Sequence, residues 1–266
     1  MSTQIDVAIV TGGGRGIGQS TATALAADGF AVAAVARNEA AVERTAAEIQ
    51  ARDGRAAAIA GDVTDVQSVQ QIVAAAERQL GGSCGVLVNA AGITGPVGEI
   101  AELDVDEWQA TLDVNLTGAF TMSRAVLPAM KARGSGRIVN VISGLAHRPQ
   151  PGLGAYCASK AGLLQLTRVI DAETKDSGVR AFAIEPGLVR TDMTESLQSL
   201  EPSGVRASVI GMLNQLEADP GFVQPDESAQ LIRLVATGQA DDLAGEACSI
   251  YNPSLRSRLS PTPSDR

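Results

Sequence analysis

Thr11-Gly12-Gly13-Gly14-Arg15-Gly16-Ile17-Gly18 stands directly after the apolar run Val7 to Val10 and directly before a helical pattern over 17–28. Three glycines at this spacing suit a strand that hands over to a helix around a phosphate group. Gly12 permits the tight turn, Gly16 lets a pyrophosphate approach the backbone, and Gly18 lets the helix pack close to the sheet. The helix N-terminus then presents free N–H groups and a positive dipole end to the phosphates. No Gly-Lys-Ser/Thr follows, so the loop is not of the Walker type.

Working outward, short apolar runs alternate with longer helical patterns. The runs are Val7 to Val10, Ala31 to Ala36, Ala56 to Ala60, Val86 to Val88, Ile138 to Ile142, Val179 to Ile184 and Ala247 to Tyr251. They are apolar throughout rather than alternating, as strands covered on both faces must be. Helical periodicity fills 17–28, 39–52, 66–80, 104–133, 154–176 and 226–237. The rhythm predicts an α/β fold of the Rossmann type: one doubly wound parallel sheet of about seven strands, helices on both faces, in a single domain over 1–252. The stretch 191–225, broken by Pro202, Gly204, Gly211, Pro220 and Gly221, reads as an irregular, lid-like insertion. The Ser-, Pro- and Arg-rich 253–266 reads as a flexible tail.

Composition narrows the partners. The 266 residues are 45% hydrophobic and only 3% aromatic, which suits one large domain with an Ala/Val/Leu core. A formal charge of -9 argues against an electrostatic grip on nucleic acid or an anionic membrane. Cys84, Cys157 and Cys248 show no CxxC spacing and have one histidine between them, so neither a disulfide framework nor a metal site is expected. No charged leader with an apolar run and no transmembrane-length stretch stands out, and a cytoplasmic location is the expectation.

The end of the second apolar run bears on the adenine ribose of a dinucleotide. An acid there would favour NAD, whereas a cation would pair with the extra phosphate of NADP. The run ends Val35-Ala36-Arg37-Asn38, and Arg15 offers a second guanidinium from the glycine turn, so NADP(H) is expected over NAD(H).

Ser143, Tyr156 and Lys160 carry the proton-transfer chemistry. On a helix beginning near Gly154, the four-residue spacing sets the Tyr156 phenol and the Lys160 ammonium on one face. Bringing a phenol from about 10 to about 7 needs roughly 4 kcal/mol of preference for the phenolate. An ammonium about 4 Å away in an effective dielectric of about 20 supplies roughly that much.

With these residues in place, the chain resembles the short-chain dehydrogenase/reductase family from about Val7 to Tyr251. Thr11 to Gly18 fits TGxxxGxG, Asn89-Ala90-Ala91-Gly92 fits the NAG turn, and Asn115 lies in a family-like Asp113-Val114-Asn115-Leu116-Thr117-Gly118. Ser143, Tyr156 and Lys160 fit the catalytic serine with YxxxK, and Pro186-Gly187-Leu188-Val189-Arg190-Thr191 fits PGxVxT. The resemblance implies a nicotinamide cofactor and a tetrad of Asn115, Ser143, Tyr156 and Lys160. Tyr156 would be the acid/base, Ser143 would bind the reacting oxygen, Lys160 would hold the nicotinamide ribose and favour the tyrosinate, and Asn115 would anchor a proton-relaying water. It also implies cofactor contacts at Thr11, Gly12, Arg15, Gly16, Ile17, Gly18, Arg37, Asp62, Val63, Asn89, Ala90, Ala91, Gly92, Tyr156, Lys160, Pro186, Gly187, Val189 and Thr191.

The residues placed around a substrate are Thr94, Gly95, Leu145, His147, Leu153, Leu188 and Met193, mixed apolar and polar. Glu185, before Pro186-Gly187, departs from the small residue usual there, and Asn252-Pro253-Ser254 replaces the frequent Asp-Gly-Gly. The implied partner is a small carbonyl or alcohol, and a homo-oligomer is expected, dimer or tetramer, with a dimer through the long helices the more secure. Three readings stay open: a carbonyl reductase or alcohol dehydrogenase, including a 3-oxoacyl reductase-like one; an NAD-preferring sugar or polyol dehydrogenase; and a nucleotide-sensing binding protein on the same scaffold.

Overall fold

The computed structural model describes residues 6–259. Its strands are β1 (Asp6–Thr11), β2 (Ala31–Ala36), β3 (Arg55–Ala60), β4 (Ser83–Asn89), β5 (Gly136–Val141), β6 (Val179–Glu185) and β7 (Ala247–Ser249). They form one sheet in the order β3-β2-β1-β4-β5-β6-β7, with every neighbouring pair parallel. This is the doubly wound α/β architecture that the alternation of runs predicts.

Helices α1 (Gly16–Ala27), α2 (Glu39–Gln50), α3 (Val66–Leu80), α4 (Val105–Leu112), α5 (Gly118–Arg133) and α6 (Gly154–Thr174) connect the first six strands. Beyond β6 come α7 (Asp192–Gln198), α8 (Gly204–Ala218), α9 (Pro225–Ala236) and, after β7, α10 (Pro253–Leu259). Successive strand residues point to opposite faces, and both faces are covered. Ala8, Val10, Val32, Phe182 and Ile184 pack with α1 and α9, while Val7, Ile9, Leu87 and Ile138 pack with α3 and α5. The unbroken apolar runs follow from this double burial.

Three details differ from the sequence reading. The helical pattern over 104–133 is one helical run interrupted by a π-helical segment, Asp113–Thr117, between α4 and α5. The stretch 191–225 is not irregular, since it folds into α7 and α8, whose Leu197, Val209 and Leu213 are buried. Pro253–Leu259 is a helix rather than a flexible tail, anchored by Leu255 at 2% exposure, and the remainder of that stretch lies outside the described residues. Among the described residues, no helix is long and apolar enough to cross a membrane.

The chain leaves the sheet centre in opposite directions from β1, toward β2 and β3 on one side and β4 to β7 on the other. Such a switch point opens a crevice at the carboxyl ends of the strands. The glycine turn, Asn89, Ser143 and Glu185 all stand at those ends.

Candidate active site

The glycine turn fits the backbone too tightly for side chains. Gly12 has φ +69°, and a Cβ there would lie 2.8 Å from the Ala90 carbonyl oxygen; one on Gly18 would lie 2.2 Å from the Gly12 carbonyl oxygen. Gly18 thus presses α1 onto the turn itself. Arg15, at the N-cap of α1, makes no side-chain cap hydrogen bond. The first-turn amides of α1 are therefore left for a ligand. A Cβ-free cradle closed by an uncapped helix N-terminus fits the pyrophosphate of a dinucleotide.

Several of the residues expected at the cofactor build this cradle and its surroundings. Thr11 is 1% exposed, and its Oγ1 accepts from the Ala90 and Ala91 amides at 3.2 Å each, tying the second turn to the first. Asn89 turns away from the crevice: its Nδ2 donates to Asn140 Oδ1 at 2.8 Å, and Asn140 Nδ2 donates to Thr167 Oγ1 at 2.9 Å, a polar ladder between the sheet and α6. Asn89 Oδ1 is buried without a hydrogen-bond partner. Val63 is a core residue packed against Gly118. Burial works to raise the Asp62 carboxyl, but hydrogen bonds from the Thr64 amide and hydroxyl, with the charge of Arg37, hold it below its ordinary value. Arg15 and Asp192 form an exposed ion pair at 2.5 Å, linking the glycine turn to α7.

Asn115 lies in the π-helical segment and is 1% exposed. Its Oδ1 accepts from the Ile93 amide at 2.8 Å, while its Nδ2 donates to the Ile93 carbonyl at 2.8 Å and to Ser159 Oγ at 3.0 Å. The side chain is thus a clamp between the segment at Ile93 and α6, with both Nδ2 hydrogens and one Oδ1 lone pair engaged. Ser159, which sequence reasoning missed, completes that clamp. A Cβ on Gly92 would lie 3.3 Å from Asn115 Oδ1 and 3.6 Å from Lys160 Nζ, so glycine lets these groups crowd one corner.

Ser143, Tyr156 and Lys160 meet beside this corner. Ser143 stands two residues beyond β5 and caps a 3-10 turn, Gly144–Ala146, its Oγ accepting from the Leu145 amide at 3.2 Å. The turn brings the chain round to α6, where Lys160 Nζ stands 5.7 Å from the centre of the Tyr156 ring and donates to the Val141 carbonyl at 2.8 Å. Burial pushes the Tyr156 phenol up to about 12, against a hydrogen bond with Ser143 that works to lower it, and the charge of Cys157 adds to the rise. Burial also pulls the Lys160 ammonium down to about 8. The depressed phenol expected from the pair is therefore not what the structure gives. Desolvation outweighs the ammonium, whose donated hydrogen bond goes to a backbone carbonyl. In this state the phenol is a proton donor.

A cavity of about 450 Å³ opens at these groups, lined by Ser143 and Tyr156 together with Ile17, Thr94, Leu145, Leu153, Leu188 and Met193. It also takes in His147, whose Nε2 lies 2.5 Å from Oε1 of Glu185, another lining residue. Pro186, Gly187, Val189 and Thr191 form one wall. That wall is braced by residues the motifs did not disclose. The Tyr251 hydroxyl accepts from the Leu188 amide at 2.9 Å, Ser228 Oγ donates to the Pro186 carbonyl at 2.9 Å, and Val223 bridges Val189. Gly187 has φ +85°, and a Cβ there would meet the Tyr251 hydroxyl at 2.8 Å. Gly95 is packed against Thr111 rather than into the cavity, with which only Thr94 of the two is in contact.

The chain is similar to known proteins over most of its length. The family model for short chain dehydrogenases matches residues 6–202. A 3-oxoacyl-[acyl-carrier-protein] reductase of Synechocystis sp. is 37% identical over 235 residues, 88% of this chain and 90% of that one. A 2,3-dihydro-2,3-dihydroxybenzoate dehydrogenase of Bacillus subtilis is 34% identical over 237 residues, again 88% and 90%. The crystal structure of a provisionally assigned short-chain alcohol dehydrogenase from Sinorhizobium meliloti 1021 superposes with a TM-score of 0.82 at 32% identity, covering 95% of this chain and 97% of that one. The chain therefore belongs to the short-chain dehydrogenase/reductase family of oxidoreductases.

Proposed function

We propose that the chain interconverts a small secondary alcohol and its carbonyl compound, with Tyr156 as the general acid and base. The observation that carries the reading is the meeting of Ser143, Tyr156 and Lys160 at one cavity beside the glycine cradle. A nicotinamide cofactor, when bound, supplies the hydride acceptor for oxidation or the donor for reduction. Gly12, Gly16 and Gly18 with the α1 N-terminus would hold its phosphates, and Lys160 its ribose. In reduction Tyr156 gives its phenolic proton to the substrate oxygen, while Ser143 hydrogen-bonds the same oxygen. In oxidation Tyr156 takes that proton back. Lys160, buried and drawn to about 8, stands ready to favour the phenolate once the proton has gone. Asn115 acts as a positioning residue, through the Ile93 turn and Ser159.

NADP(H) is our preferred cofactor, on the strength of the exposed Arg37 at the end of β2. The exposed Phe120 on α5 and Val169 on α6 support a homo-oligomer joined through these helices, and the three free cysteines support a reducing, cytoplasmic setting. The test is Tyr156→Phe. Turnover, found first by a screen at 340 nm over ketones, 3-oxoacyl thioesters, sugars, polyols and their alcohols, falls at least about a thousandfold, while NADPH binding by fluorescence titration stays within threefold. Substantial residual turnover would remove Tyr156 from the role.

A further inference from the structure

We propose that the His147–Glu185 pair is a hydroxyl-recognition subsite, so that the preferred substrate carries a second hydroxyl near the reacting carbinol: a vicinal diol or, in reduction, an α-hydroxy ketone. The proposal rests on the carbonyl/alcohol reading above and concerns which such compound the cavity selects.

The backbone sets the pair beside the reacting groups. Val141 registers with Ile184, and the Ile142 amide donates to the Ile184 carbonyl at 2.8 Å, so Glu185 stands level with Ile142 on the next strand. Neighbouring strands lie about 4.8 Å apart. Glu185 is therefore one residue step from Ser143, the residue proposed to bind the reacting oxygen. The 3-10 turn from Ser143 ends at His147 and returns its imidazole to Glu185. The second hydroxyl read by such a pair belongs on the carbon next to the reacting one.

Burial and charge say what the pair recognises. The Glu185 side chain is 16% exposed and that of His147 43%. Among the described residues, Glu185 is the one acid on a cavity whose lining includes six leucines and two methionines. His147 meets only Oε1 of this part-buried carboxylate, so Oε2 is left for water or a ligand. No other donor reaches the carboxylate among the described residues. The second oxygen accepts and cannot donate, so it selects a donor. A substrate hydroxyl gives that donor. A substrate carboxylate would meet Glu185 as a like charge. An alcohol without the second hydroxyl displaces water from Glu185 and returns nothing, a difference worth roughly 10- to 100-fold in kcat/KM.

The experiment compares diol and mono-alcohol on one carbon skeleton: 2,3-butanediol with 2-butanol, and cyclohexane-1,2-diol with cyclohexanol, by cofactor reduction at 340 nm. Wild type favours the diol by at least about tenfold in kcat/KM on the skeleton it accepts, and Glu185→Gln brings the ratio within threefold of one. His147→Asn, at a half-exposed position, does the same and stands in should Glu185→Gln fold poorly. A merely structural role for the pair would lower both rates together and leave the ratio standing. A wild-type ratio near one, or a ratio unmoved by both variants, overturns the subsite while leaving the carbonyl/alcohol reading intact. Failure of all four alcohols, of acetoin and 2-butanone in reduction, and of every compound in the wider screen overturns that reading and this inference with it; turnover confined to compounds without a second hydroxyl overturns the subsite alone.

Discussion

Arg15 and Arg37 both place a guanidinium near the glycine turn, and the structure separates them. Arg15 is held by Asp192 in a pair whose side chains are 74% and 68% exposed. An exposed pair of this kind is worth less than about 1 kcal/mol, so it screens Arg15 without locking it. Arg37 has no carboxylate within 4 Å among the described residues, and its reach is seen only in the field it lends to Asp62. On the proposed NADP(H) reading, Arg37 is the stronger determinant of a 2'-phosphate. Arg37→Ala should lower the NADPH-to-NADH ratio of kcat/KM at least about tenfold, and Arg15→Ala by less than that. Steady-state kinetics with both cofactors checks it; an unchanged ratio in Arg37→Ala would remove Arg37 from that role, and a wild-type preference for NADH would overturn the NADP(H) reading. At this scale the sequence was a good guide to position and a poorer one to task. Thr11, Asn89 and Asn115 stand in the segments that border the crevice, and their side chains hydrogen-bond to the protein. A motif records where a side chain stands, whereas its partners come from elements distant in sequence.

The elements around the cavity divide into sheet-borne and appended parts. Ser143, Tyr156 and Lys160 rest on β5 and α6, whose cores are continuous with the sheet. The roof differs: α7 and α8 bury Leu197, Val209 and Leu213 in a separate cluster with Leu145, Leu153 and Leu188. That cluster was hidden in the sequence by Gly204, Gly211 and Pro220. Beneath those breakers Val205, Val209, Met212, Leu213 and Leu216 keep helical spacing, a signal that could have been read. A small cluster of this kind opens before the sheet does. Leu213→Ala should accelerate amide hydrogen exchange in α8 at least about tenfold and leave β1 and β4 within twofold, measured by mass spectrometry. Equal acceleration in the strands would show that the roof is part of the main core.

Over the whole molecule, pH acts through a few buried groups. Lys160 falls from 10.5 to about 8 on folding. Between those values the unfolded chain binds the extra proton, so this group makes stability rise with pH; the benefit is complete above 10.5 and lost as pH falls through about 8. Tyr156 rises from 10.0 to about 12, and Cys84 and Cys248 from 9.0 to about 12, in each case first of all by burial. These three act oppositely: their contribution is whole below the unfolded values and lost as pH climbs toward about 12. Lys160→Met isolates the first effect, because the other three are shared. Wild type should gain on the variant by about 3 kcal/mol between pH 7 and 10.5, read from urea unfolding. A difference independent of pH would mean that the ammonium is not desolvated as the fold implies. The architecture itself was legible almost entirely, since a parallel sheet covered on both sides writes its strands as unbroken apolar runs. The brace behind the Leu188 wall was not, because Tyr251 and Ser228 carry no pattern beyond their own identity.

That brace bears on the order in which the protein is made. The Tyr251 hydroxyl secures the Leu188 amide from 63 residues further along the chain. A ribosome delivers the glycine cradle before Ser143, Tyr156 and Lys160, and these before β7 and Tyr251. A nascent chain can therefore assemble its reactive corner while one wall of the cavity is still unsupported, and the last-synthesised strand is the one that closes the vessel.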